Sequence, residues 1–202
     1  MRYDALIFDC DGTLADTMPA HYETWKAVFN RHGISFSLER FYSLGGVPAK
    51  EVVEIVAGEA GVKVETVLVA EEKDRAFMDQ LSSVRPVESV AAVAREFRGK
   101  LPMAVATGSH RELVELTLER IGMAGWFDAI VCAEDVVNPK PAPDIFLEAA
   151  RRLGIKPDRC CVYEDADLGI LGARRAGMDV VDVRWGVGKI REEQGTVRRS
   201  RE

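Results

Sequence analysis

A short apolar run, Ala5-Leu6-Ile7-Phe8, stops at two carboxylates spaced i, i+2 and a glycine, and no other feature constrains the fold of this chain as much. Four uninterrupted apolar residues closed by a turn signal read as a buried parallel strand running into a loop. Residues two apart at a strand end project to one side, so Asp9 and Asp11 can meet over a single site. Carboxylates crowded there repel each other unless a cation or a shared proton intervenes. The pattern therefore points to a divalent metal and a nucleophile, with Mg2+ favoured by hard oxygen donors.

Beyond that strand the chain is helical for about seventy residues. Asp16-Thr17-Met18-Pro19 is a turn with Pro where a helix begins. Tyr22, Trp25, Val28 and Phe29 recur at helical spacing up to Gly33, Val52 to Val56 form a second amphipathic piece ending near Gly58 and Gly61, and Glu65 to Leu81 a third. From Pro86 the pattern becomes strand and helix in alternation. Helices are expected at Glu88–Phe97, Arg111–Ile121, Ile145–Leu153 and Ala166–Ala176, and strands at Pro102–Ala106, Ala129–Ala133, Cys160–Tyr163 and Asp179–Val183. That alternation implies right-handed crossovers and an α/β fold, a Rossmann-like doubly wound parallel sheet. The expected division is a core of residues 1–15 and 86–202 with an inserted all-helical cap domain, 16–85.

Composition narrows the function classes. A net charge of −6 gives no encouragement to nucleic-acid or anionic-membrane binding, and the apolar stretches are far shorter than a membrane span. Met1 to Asp4 lead straight into the first strand, so no signal peptide is expected. The four cysteines, at 10, 132, 160 and 161, lack zinc spacing, and Cys160 and Cys161 should point to opposite sheet faces. A reduced, cytoplasmic setting fits. The polar tail from Lys189 to Glu202 is expected to add little core. Nothing demands more than a monomer.

In doubly wound sheets ligands gather at the carboxyl ends of the strands. Those ends carry Asp9-Cys10-Asp11-Gly12-Thr13, Thr107-Gly108-Ser109 and Glu164-Asp165, while Lys140-Pro141 sits on a proline-stiffened loop. In this order the four segments resemble the motifs of the haloacid dehalogenase superfamily of phosphatases and phosphomutases, across essentially the whole chain. The second carboxylate, Asp11, is absent from the superfamily's dehalogenases, so a phosphoryl-transfer member is implied. The fourth motif has Ala166 where a Ser is common. A phosphate ester is a dianion, so positioning and charge neutralisation do most of the catalysis. Asp9 is then the nucleophile that forms an aspartyl-phosphate, with Lys140 and Mg2+ neutralising charge. Asp11 serves as general acid and later as base, and its backbone carbonyl also faces the metal. Thr107, with the amides of Gly108 and Ser109, holds phosphate oxygens. The expected metal set is Asp9, Asp11, Asp165 and Glu164, with Asp165 the direct carboxylate ligand.

The position of the insert is similar to the helical cap of the beta-phosphoglucomutase-like branch. By that resemblance Thr17, His21 and Lys73 are substrate-binding candidates, with Trp25 and the Gly45-Gly46-Val47 turn also matching. Lys140-Pro141-Ala142-Pro143-Asp144 and the run Glu164 to Ile170 resemble bacterial fructose-1-phosphate and 6-phosphogluconate phosphatases. Where mutases carry Arg soon after the glycine turn, this chain has Pro48-Ala49-Lys50, and His110-Arg111 replaces their Lys-Asn. The resemblance thus implies a sugar-phosphate phosphatase, with a beta-phosphoglucomutase-type phosphomutase as the alternative. Blander readings stand beside these: His21 as a structural histidine, Lys73 as one member of a solvated charged face, and Trp25 as part of the cap core.

Overall fold

The computed structural model describes residues 2–187, so the tail from Lys189 to Glu202 lies outside the described residues. The first strand, β1 (Ala5–Phe8), leads into four helices: α1 (Met18–Arg31), α2 (Leu38–Ser43), α3 (Ala49–Ala60) and α4 (Thr66–Met78). Then come α5 (Glu88–Phe97), β2 (Met103–Ala106), α6 (Arg111–Arg120), β3 (Ala129–Val131), α7 (Asp144–Leu153), β4 (Cys160–Glu164), α8 (Asp167–Arg175) and β5 (Asp179–Asp182). All strand pairings are parallel, in the order β3-β2-β1-β4-β5. The expected α/β architecture is therefore the observed one.

Side-chain alternation along the central strand builds two cores. Leu6 and Phe8 join Val90, Ala94, Val114 and Leu118 from α5 and α6 on one face. Ala5 and Ile7 join Ile145, Phe146, Ala149 and Ala173 from α7 and α8 on the other. Cys161 belongs to the first cluster and Cys160 to the second, as their adjacency in a strand requires. Register then levels the strand ends: Phe8 pairs with Val105 on one side and with Tyr163 on the other. Asp9 is thus brought beside the ends of β2 and β4, and its amide donates to the Tyr163 carbonyl at 3.0 Å.

The helices α1 to α4 carry a hydrophobic cluster of their own, in which Trp25, Phe29, Phe36, Val53 and Val69 are buried. The chain enters and leaves this block side by side, with the Asp16 amide donating to Arg85 at 2.8 Å and Ala15 bridging Pro86. Two local features refine the helical block. The six-residue α2 has too little length for a periodic signal, and its visible mark is the Ser37 hydroxyl accepting the Arg40 amide at 3.1 Å. Helix α3 runs through Gly58 and stops at Gly61, because burial of Val52, Val53, Val56 and Ala57 outweighs the modest helix penalty of one glycine.

Candidate active site

Lys140 is the pivot of the polar cluster at the strand ends. Its Nζ donates to Asp9 Oδ1 and to Glu164 Oε2, both at 2.7 Å, and all three side chains are buried. The other oxygen of Glu164, Oε1, accepts the amides of Asp165 at 3.2 Å and Ala166 at 3.0 Å. Asp165 in turn accepts the Thr13 hydroxyl at 2.9 Å. Gly12, at φ +84°, makes room for it: a Cβ there would lie 2.2 Å from Asp165 Oδ2. One oxygen each from Asp9, Glu164 and Asp165 lies within 4.8 Å of the others.

Three carboxylates against one ammonium leave this pocket short of positive charge. Burial, and then the neighbouring Glu164, push Asp9 well above the usual carboxylate range despite Lys140. The same two causes push Asp165 up to about 6. Burial alone would lower Lys140, but Asp9 and Glu164 outweigh it and keep the ammonium charged. An all-oxygen set in which burial and mutual repulsion raise Asp9 and Asp165 suits a hard divalent cation.

Asp11 faces away from that trio. Its Oδ1 accepts the Thr17 hydroxyl at 2.8 Å and faces His21 Nε2 at 3.1 Å, and its Oδ2 accepts the Ser109 hydroxyl at 2.6 Å. Burial works to raise Asp11, yet these hydrogen bonds, the one from His21 foremost, hold it well below the ordinary value. Those three partners turn the Asp11 carboxylate away from the trio, which leaves its backbone carbonyl for the expected place in the metal set. His21 is itself lowered by burial and by the nearby Lys73 ammonium, and its ring stacks on Phe77 with centroids 3.9 Å apart.

A cavity of about 490 Å³ connects these groups. Asp9, Asp11, Thr107, Gly108, Ser109, Lys140, Glu164 and Asp165 line it from the sheet, and His21 and Lys73 from the helical block. Thr107 is buried at the end of β2, with its hydroxyl oxygen accepting the Ser109 amide at 3.2 Å. Lys73 is buried, with its ammonium 5.5 Å from the Trp25 ring, 5.3 Å from the Phe77 ring and 3.2 Å from Asp74. A solvated charged face is thus the wrong reading for it. Thr17 also needs correction: fully buried and spent on Asp11, it does not line the cavity and can reach a substrate only through that carboxylate.

Thr13 stood in the first motif without a contact of its own, and Asp74 and Phe77 had no site role in the reading of the sequence. Thr13 lies in the turn after β1, where strand alternation no longer applies, so only its place in the first motif marked it. Asp74 adjoins Lys73 in α4, whereas Phe77 meets His21 only through the packing of α4 on α1.

The model of the haloacid dehalogenase-like hydrolases matches residues 3–177. The chain belongs to that family. It is similar to fructose-1-phosphate phosphatase YqaB of Escherichia coli, with 41% identity over 91% of this chain and 97% of that protein. It is 32% identical to a phosphorylated carbohydrates phosphatase of Thermotoga maritima, over 87% of this chain and 82% of the relative. Among solved structures, a beta-phosphoglucomutase from Clostridium difficile superposes with a TM-score of 0.79 at 26% identity, covering 88% of this chain and 83% of the other. The chain is a phosphatase of this family, and its acidic cluster fits the divalent metal such enzymes typically use. Among the described residues no helix is long and apolar enough to cross a membrane.

Proposed function

We propose that this phosphatase hydrolyses small sugar phosphates of the fructose 1-phosphate kind, in the cytoplasm, with Mg2+ as its metal. The observation that carries the reading is the joint placement of Asp9, Lys140 and Asp165 at one end of the sheet, opposite a helical block that closes over them. Residues 16–85 act as a cap, and residues 1–15 with the chain from 86 onward as the core. The paired connections at Asp16-Thr17 and Val84–Pro86 serve as the hinge.

Asp9, Asp165 and Glu164 would hold the cation, which neutralises charge on the phosphoryl oxygens when bound. Lys140 fixes Asp9 by its Oδ1 and offsets part of the repulsion between two anions. The Asp9 carboxylate attacks phosphorus, the bond from phosphorus to the ester oxygen breaks, and Asp11 gives that oxygen a proton. An arriving dianion raises the proton affinity of Asp11 for this step. Water then attacks the aspartyl-phosphate, its proton returns to Asp11, and phosphate leaves with Asp9 restored. Thr107, Gly108 and Ser109, just before the start of α6, hold the phosphate oxygens.

Hydrolysis is favoured over phosphomutase action by the surroundings of the second motif and of the glycine turn. The Arg111 guanidinium is held by Asp135 at 2.6 Å and turned from the cavity. Lys50 and His110, which do line it, already face Glu54 and Glu134. The test is phosphate release across a panel of sugar phosphates, with Mg2+ and with chelator, for wild type and Asp9→Asn. The expected result is Mg2+-dependent release from ketose or hexose phosphates and a loss of at least about a thousandfold in the variant, its fold unchanged by circular dichroism. Substantial turnover by Asp9→Asn would end the covalent route.

A further inference from the structure

The cavity does not end at the phosphate position. It continues into the helical block, where Trp25, Phe36, Phe41, Val52, Val67 and Ala70 form its wall. Four of these, Trp25, Phe36, Phe41 and Val52, also belong to the block's own hydrophobic cluster. The cavity therefore reaches the edge of that cluster, whose four shared members stay 5–7% exposed. Between Met18 and Asp74 no Ser, Thr, Asn, Gln or Tyr lines the cavity, and the polar side chains there are His21, Lys50, Glu71, Lys73 and Asp74.

A fully hydroxylated sugar presents a donor or acceptor on nearly every carbon, and each one buried without a partner is unfavourable. An apolar wall stabilises carbon instead. At about 490 Å³ the cavity also exceeds what a phosphoryl group needs and falls among pockets for drug-sized ligands.

We propose that the enzyme also takes phosphate esters whose alcohol is amphipathic. Hydroxyls near the ester face the charged rim around Lys73 and Asp74, and an apolar alkyl or aryl substituent farther out occupies the annex walled by Trp25, Phe36 and Val52. This rests on the phosphatase reading and extends it from small sugar phosphates to phosphate esters that carry such a substituent. Its continuity with the carboxylate site makes the leaving group of the ester the occupant.

The test is a series of n-alkyl monophosphates from ethyl to octyl, whose leaving groups have nearly constant acidity, assayed with Mg2+ beside fructose 1-phosphate. The expected result is a kcat/KM that climbs about fourfold per methylene until the annex is full. Ala70→Phe should flatten that slope, and so should Val67→Phe, at a position 53% exposed where a larger side chain does not threaten folding. A flat wild-type series, or a slope that neither variant alters, overturns the annex. A flat series with brisk fructose 1-phosphate hydrolysis overturns it while leaving the sugar-phosphatase reading intact. A climbing series without fructose 1-phosphate hydrolysis supports the annex and removes that sugar from the reading. No hydrolysis of any ester overturns both.

Discussion

Both oxygens of Glu164 are committed, one to Lys140 and the other to the two amides after it in the chain. That arrangement exists because α8 presents no side chain at Gly169: a Cβ there would lie 2.0 Å from Glu164 Oε2. Gly169→Ala should force the carboxylate off the ammonium. The expected outcome is a stability loss of about 1–3 kcal/mol in urea denaturation, with kcat down more than tenfold. An unchanged rate and midpoint would mean that Glu164 has a second resting place. The acids and the lysine were legible in the sequence because charged residues at strand ends stand out against apolar runs. The need for Gly169 was not, since it arises only where β4 and α8 meet.

The helical block joins the sheet domain through a small apolar contact, with Ala20 of α1, Phe77 of α4 and Leu113 of α6 buried together. Phe77 also forms the shelf beneath His21, so this junction holds the ring that faces Asp11. Leu113→Ala should cost about 2–4 kcal/mol in urea denaturation and speed amide exchange in α1 and α4 as well as in α6. Faster exchange confined to α6 would show that the junction does not hold the block. Long periodic elements such as α5 and α7 were readable from their sequence nearly to the residue. Helix α2 was not, because six residues give periodicity too little room.

The molecule as a whole places three carboxylates in one buried pocket, and its stability should register that. Asp165 at about 6 and Asp9, also raised, keep protons in the folded state that an unfolded chain, with carboxyls near 3.8, has lost. The folded state therefore binds more protons, and these groups' contribution to stability falls as pH rises from about 4 through about 6. Mg2+ should remove that loss. Its stabilising effect should be larger at pH 7.5 than at pH 5, by on the order of 2 kcal/mol, and the rise in Tm between thermal scans with chelator and with Mg2+ should be larger accordingly. An equal effect at both pH values would place the cation elsewhere. The sequence by itself determined the parallel sheet, the helical insert and the acids at the strand ends, because apolar periodicity and turn residues are local signals. Only the tertiary structure decided that Asp11 turns toward Thr17, His21 and Ser109, that Lys73 is buried between aromatic rings, and that the cavity opens into the insert. Those outcomes depend on packing between segments far apart in the chain, which no local pattern encodes.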